Sequence, residues 1–222
     1  ANGTLYFTAY DATNGGELWK SDGTEPGTML VKDISPGSNG ADPSNLLSMG
    51  NVLYFTANDG TTGAELWKTD GTESGTARVS DIRSGSRGSY PANLIDVNGT
   101  LYFTAHDGTN GQPLWKSDGT AEGTVRVFEG QSNQSISGLA WITNVNGLLY
   151  FAAYDESQGV DLWKSDGTPS GTTRVREIAL GPDGSLTGEA VSVGGTLFFT
   201  AYDDEGGTEI WKSDGTHSGT VR

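Results

Sequence analysis

Two kinds of side chain recur in this 222-residue chain with spacing regular enough to do chemistry: carboxylates set beside glycine, and single tryptophans. Asp11, Gly15 and Glu17 form an acidic loop that returns as Asp59 with Glu65 and as Asp203 with Glu209. Two carboxylates backed by backbone carbonyls can hold calcium, a hard cation that takes about six to eight oxygens. The same residues suit a turn that bonds to itself, because Asp accepts from nearby backbone N–H groups. The spacing is not that of an EF-hand loop, and Pro113 stands where the third copy would carry its glutamate. Trp19, Trp67, Trp115, Trp163 and Trp211 are the second group. An indole buries on the order of 200 Å2, which favours packing between neighbouring sheets; stacking on a sugar ring is the other use of the same face. Asp22, Asp70, Asp118, Asp166 and Asp214 each open an Asp-Gly-Thr turn, in which Asp and Thr bond the local backbone and Gly takes positive φ. Histidine occurs only at His106 and His217, which are not equivalent positions, and cysteine is absent. Disulfides, thiolate metal sites and cysteine nucleophiles are therefore excluded. No Ser-His-Asp set, phosphate loop or metal triad is legible. The many carboxylates leave a glycosidase pair open, but near-equal units do not make one unsymmetrical catalytic centre, and the chain reads as non-enzymatic.

These residues are positioned by a repeat of 48 residues. The tryptophans keep that spacing, as do Leu5, Leu53, Leu101, Leu149 and Leu197. Units are 1–48, 49–96, 97–144, 145–192 and a partial 193–222. Each reads as four short strands. They are illustrated by Leu46–Met49, Leu5–Ala9, Glu17–Lys20 and Met29–Ile34, with Gly50-Asn51 or Asn98-Gly99 as a hairpin turn. In the second strand Leu5, Phe7 and Ala9 face one way and Tyr6, Thr8 and Tyr10 the other, so both faces should be covered. The fourth strand pairs Val31, Val79, Val127 and Val175 with Lys or Arg, as suits a half-wet outer strand. Buried middle strands, a polar outer edge and a period near 50 residues predict an all-β fold. The expected architecture is a single β-propeller domain over 1–222, of five four-stranded blades with the last repeat truncated.

The chain falls 18 residues short of five full units. The expectation is neighbouring chain ends and a seam completed by missing terminal residues or by strand exchange with another chain. Ala1 in place of Met reads as a mature or excised piece. Variety concentrates in the loops 35–45, 83–93, 130–141 and 179–189. Such loops carry function when a rigid frame presents them. Trp141, Tyr90 and Asp42 are the candidate ligand contacts, with Arg87 and Asp183 in the same loops. Asn2-Gly3-Thr4, Asn98-Gly99-Thr100 and Asn133-Gln134-Ser135 match the glycosylation pattern, the first two doubling as hairpin turns.

The run Glu17-Leu18-Trp19-Lys20-Ser21-Asp22-Gly23-Thr24, with Thr69-Asp70-Gly71-Thr72 and Ser165-Asp166-Gly167-Thr168, resembles the bacterial ELWxxDGT (hyalin-like) repeat. The resemblance covers the whole chain, with departures at Pro113, Asp161 and Ile210. It implies secreted or surface proteins of bacteria and says little of ligand. The spacing Ala9, Asp11, Gly15, Glu17, Trp19 is also similar to quinoprotein-type tryptophan-docking repeats, which supports stacked blades without implying a quinone.

Thirteen basic residues against 28 acidic give a net charge of −15. Duplex nucleic acid and anionic membranes are poor partners for such a surface, and no apolar run approaches a membrane-spanning length. The reading is a multivalent extracellular interaction or adhesion module, whose partner is a carbohydrate or a cell-surface protein. A lectin for neutral sugars bound between blades and a purely structural array are the alternatives. No cofactor is expected beyond calcium.

Overall fold

In the computed structural model, residues 3–108, 111–127, 139, 141–155, 159–178, 186–203 and 205–222 are described, the side chains at 154, 155 and 187 excepted. Asn133, Gln134, Ser135 and Asp183 lie outside them, as does most of the loops 130–141 and 179–189. The chain divides into two compact units, residues 1–108 with 117–124 and residues 109–116 with 125–222. Every regular element among the described residues is a β-strand.

The first unit opens with a three-stranded antiparallel sheet, β1 (Leu5–Asp11), β2 (Gly15–Ser21) and β3 (Met29–Lys32). A four-stranded sheet follows in sequence order: β4 (Ser44–Met49), β5 (Val52–Asn58), β6 (Ala64–Thr69) and β7 (Ala77–Arg78). The unit also holds the hairpin β8 (Ala92–Val97) and β9 (Thr100–Thr104). Leu53, Phe55 and Ala57 lie on one face of β5 and Tyr54 and Thr56 on the other, and all five are buried. In β1 the expectation of two covered faces fails, since Leu5 is exposed where Leu53 is buried. Leu18, Val31, Ile34 and Ala41 pack with Leu53, Phe55, Ala57 and Trp67 into one core cluster between the first two sheets.

The second unit carries most of β10 (Leu114–Ser117), paired with β11 (Val125–Arg126). A four-stranded sheet comprises β12 (Ile142–Val145), β13 (Leu148–Asp155), β14 (Gly159–Ser165) and β15 (Thr173–Arg176). The last sheet has three strands, β16 (Leu186–Val193), β17 (Thr196–Asp203) and β18 (Gly207–Ser213), with a single bridge from Lys212 to Val221. Leu162, Val175, Val145 and Tyr150 pack with Leu197, Phe199, Ala201 and Trp211, the same arrangement as in the first unit.

Local chemistry explains the shape of each sheet. Asn98-Gly99 and Asn146-Gly147 both have positive φ, the conformation of a tight hairpin whose twist matches its strands. The outer strand ends at Lys32, short of Ile34, and carries a bulge. Leu18 pairs with Lys32 but Trp19 with Leu30, so Val31 is the extra residue and turns into the core. Leu162 with Arg176 and Trp163 with Arg174 repeat the bulge in the second unit. A second bulge in the inner strand places Asn45 and Asn93 at positive φ. Trp141 occupies the equivalent position in the next repeat, outside that conformation, and packs half-buried against the core of the second unit.

Candidate functional site

The turn at each Asp-Gly-Thr run is closed by its own side chains. Asp22 accepts from the Thr24 backbone N–H at 2.9 Å and from its hydroxyl at 2.7 Å. The Thr24 hydroxyl oxygen in turn accepts from the Gly27 N–H at 3.0 Å. Gly27 has no room for a side chain, since a Cβ would lie 1.9 Å from Asp22 Oδ1. Asp70, Asp118, Asp166 and Asp214 make the same pair of bonds with Thr72, Thr120, Thr168 and Thr216. Hydrogen bonds from the Thr24 hydroxyl and N–H hold the Asp22 carboxyl below the usual carboxylate range, and its four counterparts are lowered the same way.

These turns join neighbouring repeats. Lys20 Nζ donates to Gly71 O at 2.7 Å and Lys68 Nζ to Gly119 O at 2.9 Å within the first unit. Lys116 and Lys164 donate to Gly167 O at 2.9 Å and Gly215 O at 2.8 Å within the second. A Cβ on Gly71 would meet the Tyr6 hydroxyl at 2.3 Å, and one on Gly119 the Tyr54 hydroxyl at 2.4 Å. Glycine is therefore required there both by its positive φ and by close approach. Sequence reading missed this clasp, whose signal is a lysine followed 51 residues later by glycine.

The acidic loops are divided between two tasks. Asp11 accepts from Thr13 and Asn14, and Asp59 from Thr61 and Thr62, all within their own turns. Partial burial pushes the Asp59 carboxyl up, but the Thr62 and Thr61 N–H groups with their hydroxyls outweigh it and hold the group at about 2. Glu17 and Glu65 instead point into the protein, with no exposed surface. Glu65 accepts from the Ile82 N–H at 3.2 Å and from Ser89 Oγ at 2.5 Å. Glu17 accepts from the Ser35 N–H at 3.0 Å, while its Oε2 is buried with no partner among the described residues. The difference has a cause: Ala41 stands where the next repeat has Ser89. Burial pushes both carboxyls up, against the N–H donors that hold them down. Among the described residues no three His, Asp or Glu side chains converge as a metal site requires. Asp203 pairs with Arg222 at 3.3 Å, and Glu209 is exposed.

Glu17 and Glu65 thus anchor the variable loops to the sheet. The loop following each glutamate returns to the start of β2 or β6, where Ala41 and Asp42 both donate to Gly16 O, and Ser89 and Tyr90 to Ala64 O. Gly15 and Gly40 make the return possible, because a Cβ on Gly15 would lie 2.4 Å from Gly40 N. Asp42 and Tyr90 are equivalent residues, held in the same left-handed conformation at φ 47° and 50°, and both project into solvent; Tyr90 is 56% exposed. Trp141 does not join them, being half-buried against apolar side chains. No signal in the sequence distinguishes the anchoring glutamates from calcium ligands, since their partners are backbone groups 17 or 18 residues away and, for Glu65, a serine hydroxyl 24 residues away.

The tryptophans sit mid-sheet. Trp67, Trp163 and Trp211 are buried, and Trp19 and Trp115 half-buried. In the second unit Trp211 floors an open cavity of about 450 Å3, lined also by Arg176, Ile178, Asp203, Glu205 and Arg222. The Arg176 guanidinium lies 5.5 Å over the indole, and Trp211 Nε1 is buried without a partner among the described residues.

Sheets of antiparallel strands laid down in chain order, edge strand last, and packed face to face through one tryptophan per repeat are the blades of a β-propeller. The family model described as outer membrane protein assembly factor BamB matches residues 1–147, and the chain belongs to this repeat family. Its fold is similar to that of puromycin hydrolase, with TM-score 0.61 and 14% identity over 99% of this chain and 35% of that one. A prolyl endopeptidase gives TM-score 0.57 at 12% identity over 96% and 32% of the two chains. Prolyl oligopeptidase B from Galerina marginata gives 0.56 at 14% over 96% and 30%. The chain spans about a third of the length of these hydrolases, and at such identity the likeness is one of fold alone. No curated protein matches the chain. Among the described residues no helix is long and apolar enough to cross a membrane.

Proposed function

We propose that this chain is a non-enzymatic interaction module of the ELWxxDGT type, secreted or displayed at a bacterial surface, which binds a carbohydrate or a cell-surface protein through similar loops repeated along one frame. The observation that carries the reading is the pair Asp42 and Tyr90. Their backbone position, conformation and hydrogen bonds are the same, while the side chain offered to solvent changes from acid to aromatic. A constant frame with a varied tip is the arrangement of a binding surface. Membership in a family named for an outer membrane assembly factor supports an envelope or extracellular setting. Weak sites repeated on one frame gain about 100- to 10,000-fold through effective concentration when the partner is multivalent. The net charge of −15 directs the module away from strongly anionic polymers and toward neutral sugars.

A lectin with its site between blades is favoured by the cavity over Trp211, where an unpartnered indole N–H, two arginines and two carboxylates surround an open space. Calorimetry against neutral mono- and oligosaccharides, with and without calcium, tests both readings. Loss of binding in Tyr90→Ser supports the loop surface and loss in Arg176→Ala the cavity. Absence of binding to every sugar contradicts the carbohydrate reading, and turnover of any of them contradicts the non-enzymatic one.

A further inference from the structure

Within the first unit, three positions around the variable loop keep their geometry from one repeat to the next while their chemistry changes together. The first position is Ser35 and then Arg83. A Cβ on Gly60 would lie 3.3 Å from Ser35 Oγ, and one on Gly108 3.3 Å from Arg83 Nε. The second is the tip, Asp42 and then Tyr90, at positive φ in both. The third is Asn58 and then His106. The Asn58 N–H donates to Ala41 O at 3.0 Å and the His106 N–H to Ser89 O at 2.7 Å, so each is tied to the residue before the tip. Asn58 Oδ1 accepts from the Gly60 N–H at 2.9 Å, and His106 Nδ1 from the Gly108 N–H at 3.0 Å. That bond places the proton of the neutral imidazole on Nε2, which is then its donor. Arg78, Arg174 and Arg222 each sit beside an aspartate, whereas Arg83 has no carboxylate partner among the described residues.

We infer that Arg83, Tyr90 and His106 form a subsite for a carboxylated sugar, one acidic residue in an otherwise neutral glycan. A guanidinium matches a carboxylate with two parallel N–H bonds, the imidazole adds a third donor, and the Tyr90 ring gives the sugar a flat apolar face. In the preceding repeat Asp42 repels the same group, and Ser35 and Asn58 suit hydroxyls instead. The inference rests on the loop-surface reading of function and adds the charge of the ligand. Asp81 and Asp107 offset Arg83 and Arg87 at long range, so contact with Arg83, not the field, selects the carboxylate. The net charge of −15 tolerates one such group, because charges beyond about 8–10 Å are screened at physiological salt.

Calorimetry of the full chain with the methyl glycosides of glucuronic acid and of glucose tests it, since a carboxylate replaces a hydroxymethyl group between them. The glucuronide should bind about 10-fold tighter and shift the amides of Arg83, Tyr90 and His106. Arg83→Ser with His106→Asn installs the residues of the preceding repeat, and Asn keeps an acceptor for the Gly108 N–H. The double variant should retain its circular dichroism melt and lose about 10-fold in glucuronide affinity, down to that of the glucoside. Equal binding of the two glycosides at these loops overturns the subsite and leaves the functional reading standing. Binding of neither removes the carbohydrate reading and the subsite with it. Acetate or a capped aspartyl peptide binding as tightly as the glucuronide, or a preference that survives the double variant, also overturns the inference.

Discussion

Carboxylates of this protein do opposite things according to what surrounds them. Asp59 at about 2 lies below its ordinary 3.8, so its contribution to stability is complete above about pH 4 and is lost as pH falls toward 2. The five turn aspartates, also lowered, act in the same direction. Glu17 and Glu65 are raised by burial, so ionisation opposes folding at neutral pH, and that cost is relieved as pH drops through their folded values. Melting temperature should therefore fall steeply below pH 4, and Asp59→Asn should flatten part of that fall; an unchanged acid profile in the variant would count against the turn bonds. Glu65→Ala should cost about 2–4 kcal/mol, because it strands buried N–H groups of the loop, read as urea unfolding and as faster amide exchange at Ile82 and Arg83. The converse test is Ala41→Ser, which gives Glu17 Oε2 the donor that Ser89 gives Glu65 and should stabilise by about 0.5–1.5 kcal/mol. None of this was legible beforehand. Glutamate at a repeated position reads equally as metal ligand or anchor until the fold brings a distant backbone to it.

Strands were the most legible part of the chain. Alternation in Leu-Tyr-Phe-Thr-Ala, Asn-Gly turns and the 48-residue period located each of them, and only the outer strand came out shorter than its residues suggested. Where its pairing stops, and the bulge within it, are set between strands, which the sequence of one strand does not display. Trp141 shows the same limit: it stands out by type, yet its place is that of Asn45 and Asn93, where a bulge favours asparagine and the tryptophan turns inward. At this scale Trp67→Ala should cost about 3–5 kcal/mol through the cavity it leaves in the core of the first unit. Gly75→Ala should cost about 1–3 kcal/mol, because its Cβ would lie 2.1 Å from an Asp70 carboxylate already fixed by Thr72. Chemical unfolding of the two variants beside Trp115→Ala, whose indole is half-buried, should rank Trp67 as the most damaging.

Across the whole molecule the repeats read alike but are not covered alike. Leu5 and Leu53 are the same residue in the same motif, one exposed and one buried, and only position in the array separates them. The same constancy makes the functional reading testable, because frame and tip can be altered separately. The most direct measurement is a 15N-amide NMR titration of the chain with the neutral oligosaccharides used for calorimetry. Fast-exchange shifts at Asp42, Tyr90 and their loops, saturating at millimolar sugar on the order expected for weak single sites, with the strand amides unmoved, are what a rigid frame with varied tips predicts. Shifts confined to one tight site away from those loops, or none at all, would contradict it.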